Sequence, residues 1–171
     1  MRYIRWTLLI IVVLALITTG VIYYSTQHQK PVQSAVITPQ VQDIPLNADK
    51  ILELVNIERA KVNVAPLVMD TGLVATAQSR ADDMAKRDYF GHRDPVTNEN
   101  MVNILNEQKQ CVYASENISE MLEPIGDNNN DTVQGWVGSK PHYDAMIDSR
   151  YTLTGIAISK NKIVQHFCQT N

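Results

Sequence analysis

The chain has no charged residue between Trp6 and Tyr24 and no acidic residue before Asp43, so its start lacks the polar spacing of a surface helix. An uncharged run of that length comes close to the roughly 20 residues that cross a bilayer as a helix. Arg2 and Arg5 precede it and Lys30 is the first cation after it. By the positive-inside tendency the N-terminus stays cytoplasmic and everything beyond about Ser25 is exported. A clean Ala-x-Ala cleavage site is also missing, which favours an uncleaved anchor over residues 1–25, with Trp6 and Tyr23-Tyr24 as interfacial aromatics. The small residues Thr18-Thr19-Gly20 keep a cleaved signal peptide as the alternative.

Basic residues are in deficit. Setting Arg2 and Arg5 aside reduces the 15 Lys and Arg to 13, against all 18 Asp and Glu, a formal charge of −5. That balance argues against a surface that neutralises phosphates, and nucleic acid is not an expected partner. Cysteine is nearly absent, Cys111 and Cys168 being the whole supply. In an exported chain such a pair reads most simply as a disulfide, with two buried thiols as the other reading. The 171 residues leave room for one domain of ordinary size after the uncharged run, and no internal repeat is visible.

Residues 26–46 hold Pro31, Pro39 and Pro45 among Gln, Val, Ser and Thr without periodic apolar spacing, and read as an extended linker ahead of a domain over 47–171. Asn47 or Asp49 can cap a first helix bearing Ile51, Leu54, Val55 and Val62, ended at Ala65-Pro66. Asp70 or Thr71 can cap a second, on which Leu73, Ala77, Ala81, Met84 and Ala85 form a stripe narrow enough for close packing. Gln78, Arg80, Asp82, Asp83, Lys86 and Arg87 are assigned to its solvated face. A short helix over Asn98–Gln108 and a strand over Cys111–Ile118 follow. Gly126 to Asn130 read as an exposed loop, and Asp131 as the cap of a helix carrying Val133, Trp136 and Val137. Ser139, ahead of Lys140-Pro141, starts another short helix. Tyr151–Ser159 and Lys162–Thr170 form a hairpin joined at Lys160-Asn161. Helices first and antiparallel strands last point to an α+β fold.

Three polar residues sit in otherwise ordered sequence: His92 past a helix end, Glu116 within the strand, and His142 in the turn after Ser139. Each could simply satisfy a local hydrogen bond. Two imidazoles and a carboxylate are also the groups that bind Zn²⁺ or exchange protons near neutral pH, although no compact spacing such as His-Glu-x-x-His strengthens the metal reading.

At these residues the chain resembles the CAP superfamily of cysteine-rich secretory, antigen 5 and pathogenesis-related proteins, most closely its bacterial SCP-like branch. The likeness runs from Asp49 to Thr170. It includes Asn56-x-x-Arg59, Pro66-Leu67-x-x-Asp70, Phe90-Gly91-His92, Glu116-Asn117-Ile118, Trp136-x-x-Ser139-x-x-His142 and the Tyr151–Ala157 segment. It implies an α-β-α sandwich, its small, mainly antiparallel sheet covered by helices, with a cleft where His92, Glu116 and His142 face each other. Many eukaryotic relatives have a second carboxylate where this chain has Ser139, so a His-Glu-Glu-His set is incomplete here.

Two functions follow as expectations. In the first, a membrane-tethered or secreted extracellular module binds a lipid, peptide or envelope component through His92, Glu116, Ser139 and His142, with Zn²⁺ or another divalent cation on His92 and His142. The alternative is a peptidase-like or esterase-like hydrolase in which Glu116 and His92 or His142 activate water. Ser139 as a nucleophile competes with its simpler role as a helix cap.

Overall fold

The computed structural model describes residues 16–24, 44–100, 102–103, 105, 111–122 and 126–170. Met1–Pro39 and Gln40–Asn171 are separate units. In the first, residues 16–24 are helical, and no described helix is long and apolar enough to cross a membrane. Most of the Trp6–Tyr24 run and of the 26–46 linker lies outside the described residues.

In the second unit Asn47 caps helix α1 (Ala48–Lys61), its side chain accepting from Lys50 N. The helix stops at Lys61, and Asn63 turns left-handed (φ 59°) before Pro66 is reached. The Asn-x-x-Arg pair is structural. Asn56 brackets Leu67 with two backbone hydrogen bonds, and buried Arg59 donates to the carbonyls of Ala65, Met146, Asp148 and Tyr151. The short strand β1 (Val68–Met69) leads to Asp70, which caps α2 (Thr71–Arg87) by accepting from Leu73 N.

Strand β2 (Tyr113–Glu120) starts two residues later than the sequence indicated. Helix α3 (Asn128–Val137) starts earlier than the Asp131 cap predicts, because Asp127 caps it. Two of the asparagines read as an exposed loop, Asn128 and Asn129, are buried for a specific reason. Asn128 Nδ2 donates to the Ile44 carbonyl, Asn129 Nδ2 to the Pro45 carbonyl, and Asn129 Oδ1 accepts from Asn47 N. They pin the entering segment 44–47, so the expected boundary at Asn47 falls inside this contact. Helix α4 (Lys140–Ile147) has Pro141 in its first turn, where the missing N–H leaves no bond unmade. Of the helix expected over Asn98–Gln108, residues 102, 103 and 105 are described as helical, and Leu105 is buried.

Strands β3 (Leu153–Ser159) and β4 (Lys162–Gln169) form the expected hairpin, with Lys160 left-handed at φ 53°. The sheet order is β1-β3-β4-β2, antiparallel except for the β1–β3 pair. Alternation along the strands creates two covered faces. Ile156, Ile163 and Phe167 pack with Ile51, Val55, Trp136 and Met146 of α1, α3 and α4. Ala157, Val164 and Ile118 pack against Ala77, Ala81 and Met84 of α2 on the other face. The result is an α-β-α sandwich.

Cys111 and Cys168 form a disulfide that ties the start of β2 to the end of β4. It sits with Leu73 and Leu105 in a third apolar cluster.

Candidate functional site

The site is organised by one row across the sheet. Gly155 on β3 pairs with His166 on β4, and His166 pairs with Glu116 on β2. Helix α2 crosses over this row. A Cβ on Gly155 would lie 2.1 Å from the carbonyl carbon of Leu73, so only glycine lets the helix descend this far. Successive three- and four-residue steps along a helix advance about 4.5 and 6 Å, close to the roughly 4.8 Å between strands. Leu73 therefore stands over Gly155, Thr76 meets His166, and Arg80 meets Glu116. The rows on either side are apolar, with Leu153 and Cys168 on one and Ala157, Val164 and Ile118 on the other. The polar row is sealed from water by its neighbours.

Glu116 has a side chain only 1% exposed. His92 Nδ1 is 2.9 Å from its Oε1, while His166 Nε2 at 3.2 Å and Arg80 Nε at 3.4 Å approach Oε2. Burial by itself pushes this carboxyl up. Hydrogen bonds from His166 and His92, with the charges of His166 and Arg80, outweigh burial and bring it from 4.5 down to about 2. An ionised carboxylate can only accept, so His92 donates from Nδ1 and His166 from Nε2. The bond occupies Nδ1 and leaves His92 Nε2 clear of the carboxylate on a half-exposed side chain.

The turn that carries His92 is built by the same arginine. Arg80 Nη1 donates to Tyr89 Oη and Nη2 to the Gly91 carbonyl. Tyr89 Oη in turn donates to Asp83 at 2.5 Å. Asp88 ends α2 in the left-handed region (φ 53°), and Arg87 binds Asp94, which caps the next turn by accepting from Val96 N and Thr97 N. Arg80 thus builds the turn that brings His92 to the carboxylate and adds its own long contact to Oε2.

His142 enters from the other side of the sheet edge. Asn117, on β2 and facing away from α2, donates from Nδ2 to the His142 carbonyl and holds the first turn of α4 against the strand. The His92 and His142 ring centres are 6.0 Å apart. Burial, then the neighbouring His92 charge, lowers the proton affinity of His142. Ser139 occupies the cap position of α4 with extended backbone, yet its hydroxyl makes no capping hydrogen bond, so the expected cap is one of position only.

The structure thus brings His92, Glu116 and His142 together, with Ser139 at the head of the same short helix as His142. Two members of the cluster were missed. Arg80, which the sequence assigns to a solvated face, is only 2% exposed. Its spacing from Leu73, Ala77 and Met84 puts it on the buried stripe. His166 lies in a strand of mostly apolar residues, and a polar residue in such a strand is the same signal that marks Glu116.

The His92 and His142 rings are near neighbours, tilted by 42° to one another. Among the described residues no group of three or more His, Cys, Asp and Glu is arranged to hold a metal ion. The two imidazoles do not by themselves make a closed structural metal site, which takes four ligands.

The sequence model of the CAP family, described as the cysteine-rich secretory protein family, matches residues 52–170. The chain belongs to this family. Its CAP domain is 26% identical over 107 residues to the uncharacterized protein YkwD of Bacillus subtilis, covering 63% of this chain and 40% of that protein. It is also 26% identical over 147 residues to the uncharacterized membrane protein YlbC of the same organism, covering 85% and 41%. The chain therefore spans about two fifths of the length of these relatives. A solved structure of an extracellular protein containing a SCP domain from Bacillus anthracis superposes with a TM-score of 0.62 at 24% identity, over 74% of this chain and 45% of that one. That likeness shows the CAP fold.

Proposed function

We propose that this CAP domain is an extracellular binding module, held at the membrane by the N-terminal apolar segment, and that its cleft takes a ligand on His92 and His142. The observation that carries the reading is the burial of Glu116 beneath its three donors. A carboxylate engaged by three donors and held at about 2 is a weak base, with little capacity to accept a further proton from water. The groups the cleft offers outward are imidazole nitrogens: His92 Nε2, oriented by its bond to Glu116, and the weakly basic His142 ring. Such a pair favours a ligand that brings a hydrogen-bond donor or a divalent cation. The hydrolase alternative needs Glu116 as an accessible base, and the burial of its side chain argues against that role. Export is supported by the asymmetry of Arg2 and Arg5 before the apolar run and by the disulfide.

The test is a Zn²⁺ titration of the purified chain, followed on the histidine resonances, alongside hydrolysis of generic ester and peptide substrates. Binding that is lost in His142→Ala, without turnover, is the expected result. Turnover that is lost in Glu116→Gln would overturn the reading.

A further inference from the structure

We propose that His166 is a positioning residue for the cleft: backed by Thr76, it holds the Glu116 carboxylate so that His92 donates from Nδ1 and presents Nε2 to the ligand. The inference deepens the reading of the cleft as a binding site and rests on it for the role of His92.

His166 is fully buried, and the two atoms facing its ring nitrogens restrict its protons. Nε2 lies 3.2 Å from Glu116 Oε2, an acceptor, and so must carry hydrogen. Nδ1 lies 3.0 Å from Thr76 Oγ1, which is itself 2.8 Å from the Leu73 carbonyl. The threonine hydroxyl donates to the Leu73 carbonyl or, turned, to Nδ1, and in either arrangement hydrogen stays on Nε2. Leu73 loses little by the turn, since a helix-interior carbonyl is already engaged by the amide four residues on. The carboxylate therefore requires hydrogen on Nε2, and Thr76 backs the ring from its other side.

The consequence passes to the cleft through the carboxylate. With Oε2 held by His166, and only a long 3.4 Å approach from Arg80 Nε, Oε1 is oriented toward His92 Nδ1 at 2.9 Å. A chain of hydrogen bonds thus runs from α2 through three side chains to the half-exposed ring of His92. The sheet register makes it possible: His166 and Glu116 are cross-strand neighbours on the face that α2 covers, and the Gly155 contact sets the helix height that brings Thr76 within reach. A valine or leucine at 166 would fill this buried position, but nothing apolar could donate to Oε2.

The test is the tautomeric state of each imidazole, read from long-range ¹H–¹⁵N couplings in the full chain labelled at histidine and held in detergent micelles. Measurements are made above the histidine titration range, with His92 assigned from the spectrum of His92→Asn. Wild type is expected to show hydrogen on Nδ1 of His92 and on Nε2 of His166. His166→Leu should move His92 toward the Nε2–H form that an unconstrained imidazole favours, and weaken Zn²⁺ binding about tenfold, as loss of an outer-shell partner does. His166→Gln, whose amide can donate to Oε2 and accept from Thr76, should restore the Nδ1–H form. A packing role alone would change stability without moving the tautomer.

A bare Nε2 on wild-type His166 overturns the proposal, as does a His92 that keeps Nδ1–H in His166→Leu. If the leucine variant does not fold, Thr76→Val and His166→Gln decide: retention of Nδ1–H on His92 in Gln and its partial loss in Val are expected, and the reverse pattern overturns it. Absence of Zn²⁺ binding in wild type with the expected tautomers would count against the binding reading and leave the positioning role intact.

Discussion

Replacing Glu116 by glutamine removes the one negative charge in a sealed polar row and keeps the shape. A carboxyl held at about 2 instead of 4.5 contributes about 3 kcal/mol of stability at neutral pH, at roughly 1.4 kcal/mol per pH unit. A second route gives a similar figure: removing one partner of a buried ion pair typically costs about 3–5 kcal/mol, and the Arg80 side chain left behind is 1% exposed. The glutamine amide would also direct N–H groups at His92 or His166, both of which donate to the native carboxylate. The pH dependence follows from the direction of the shift. The folded carboxyl is the stronger acid, so as pH falls the unfolded chain takes up the proton first. The contribution is whole above about 4.5 and is lost as pH falls toward about 2. Urea denaturation of wild type and Glu116→Gln, with the disulfide intact, should show a gap of about 3 kcal/mol at pH 7 that narrows below pH 4.5. A gap that stays constant down to pH 2.5, or one under about 1 kcal/mol at neutral pH, would refute the ion-pair account.

Three further outcomes are expected. Gly155→Ala places a methyl 2.1 Å from a backbone carbon of α2, which no side-chain rotation can relieve. It should cost more than the roughly 1–3 kcal/mol of ordinary overpacking, measured by chemical denaturation. Replacing Cys111 and Cys168 together by serine opens a loop with a sequence separation of 57 and should lower stability by roughly 4 kcal/mol in the chain-entropy model, seen as an earlier denaturation midpoint. A chain begun at Asn47 loses the Ile44 and Pro45 carbonyls that buried Asn128 and Asn129 engage. It should be about 2 kcal/mol less stable than one begun at Ile44, at about 1 kcal/mol per bond. Equal melting temperatures for the two chains would show that the clamp contributes nothing.

Much of this protein was legible in the chain because local rules carry it. Asn47 and Asp70 cap where a short polar side chain precedes an apolar period, and the final hairpin follows from two β-rich runs around Lys160-Asn161. The α+β class and the candidates His92, Glu116 and His142 came from the same kind of reading, strengthened by motifs in a family's order. Errors arose where a polar residue's fate depends on a distant partner. Asn128 and Asn129 have the composition of a loop and are buried because the segment 44–47 supplies acceptors more than 80 residues away. Arg80 has the charge of a surface residue and is buried because Glu116, Tyr89 and Gly91 converge on it.

The sequence by itself determined the elements, their caps and the residue types available for chemistry, since these depend on neighbours within a few positions. Only the tertiary structure decided which of those residues share a row. Strand register set His166 beside Glu116, and the contact at Gly155 set the height of α2 that lets Thr76 and Arg80 reach them. Neither register nor helix height is a local property: both come from packing two faces of one sheet at once, and with them came the ionised state of Glu116 and the orientation of His92.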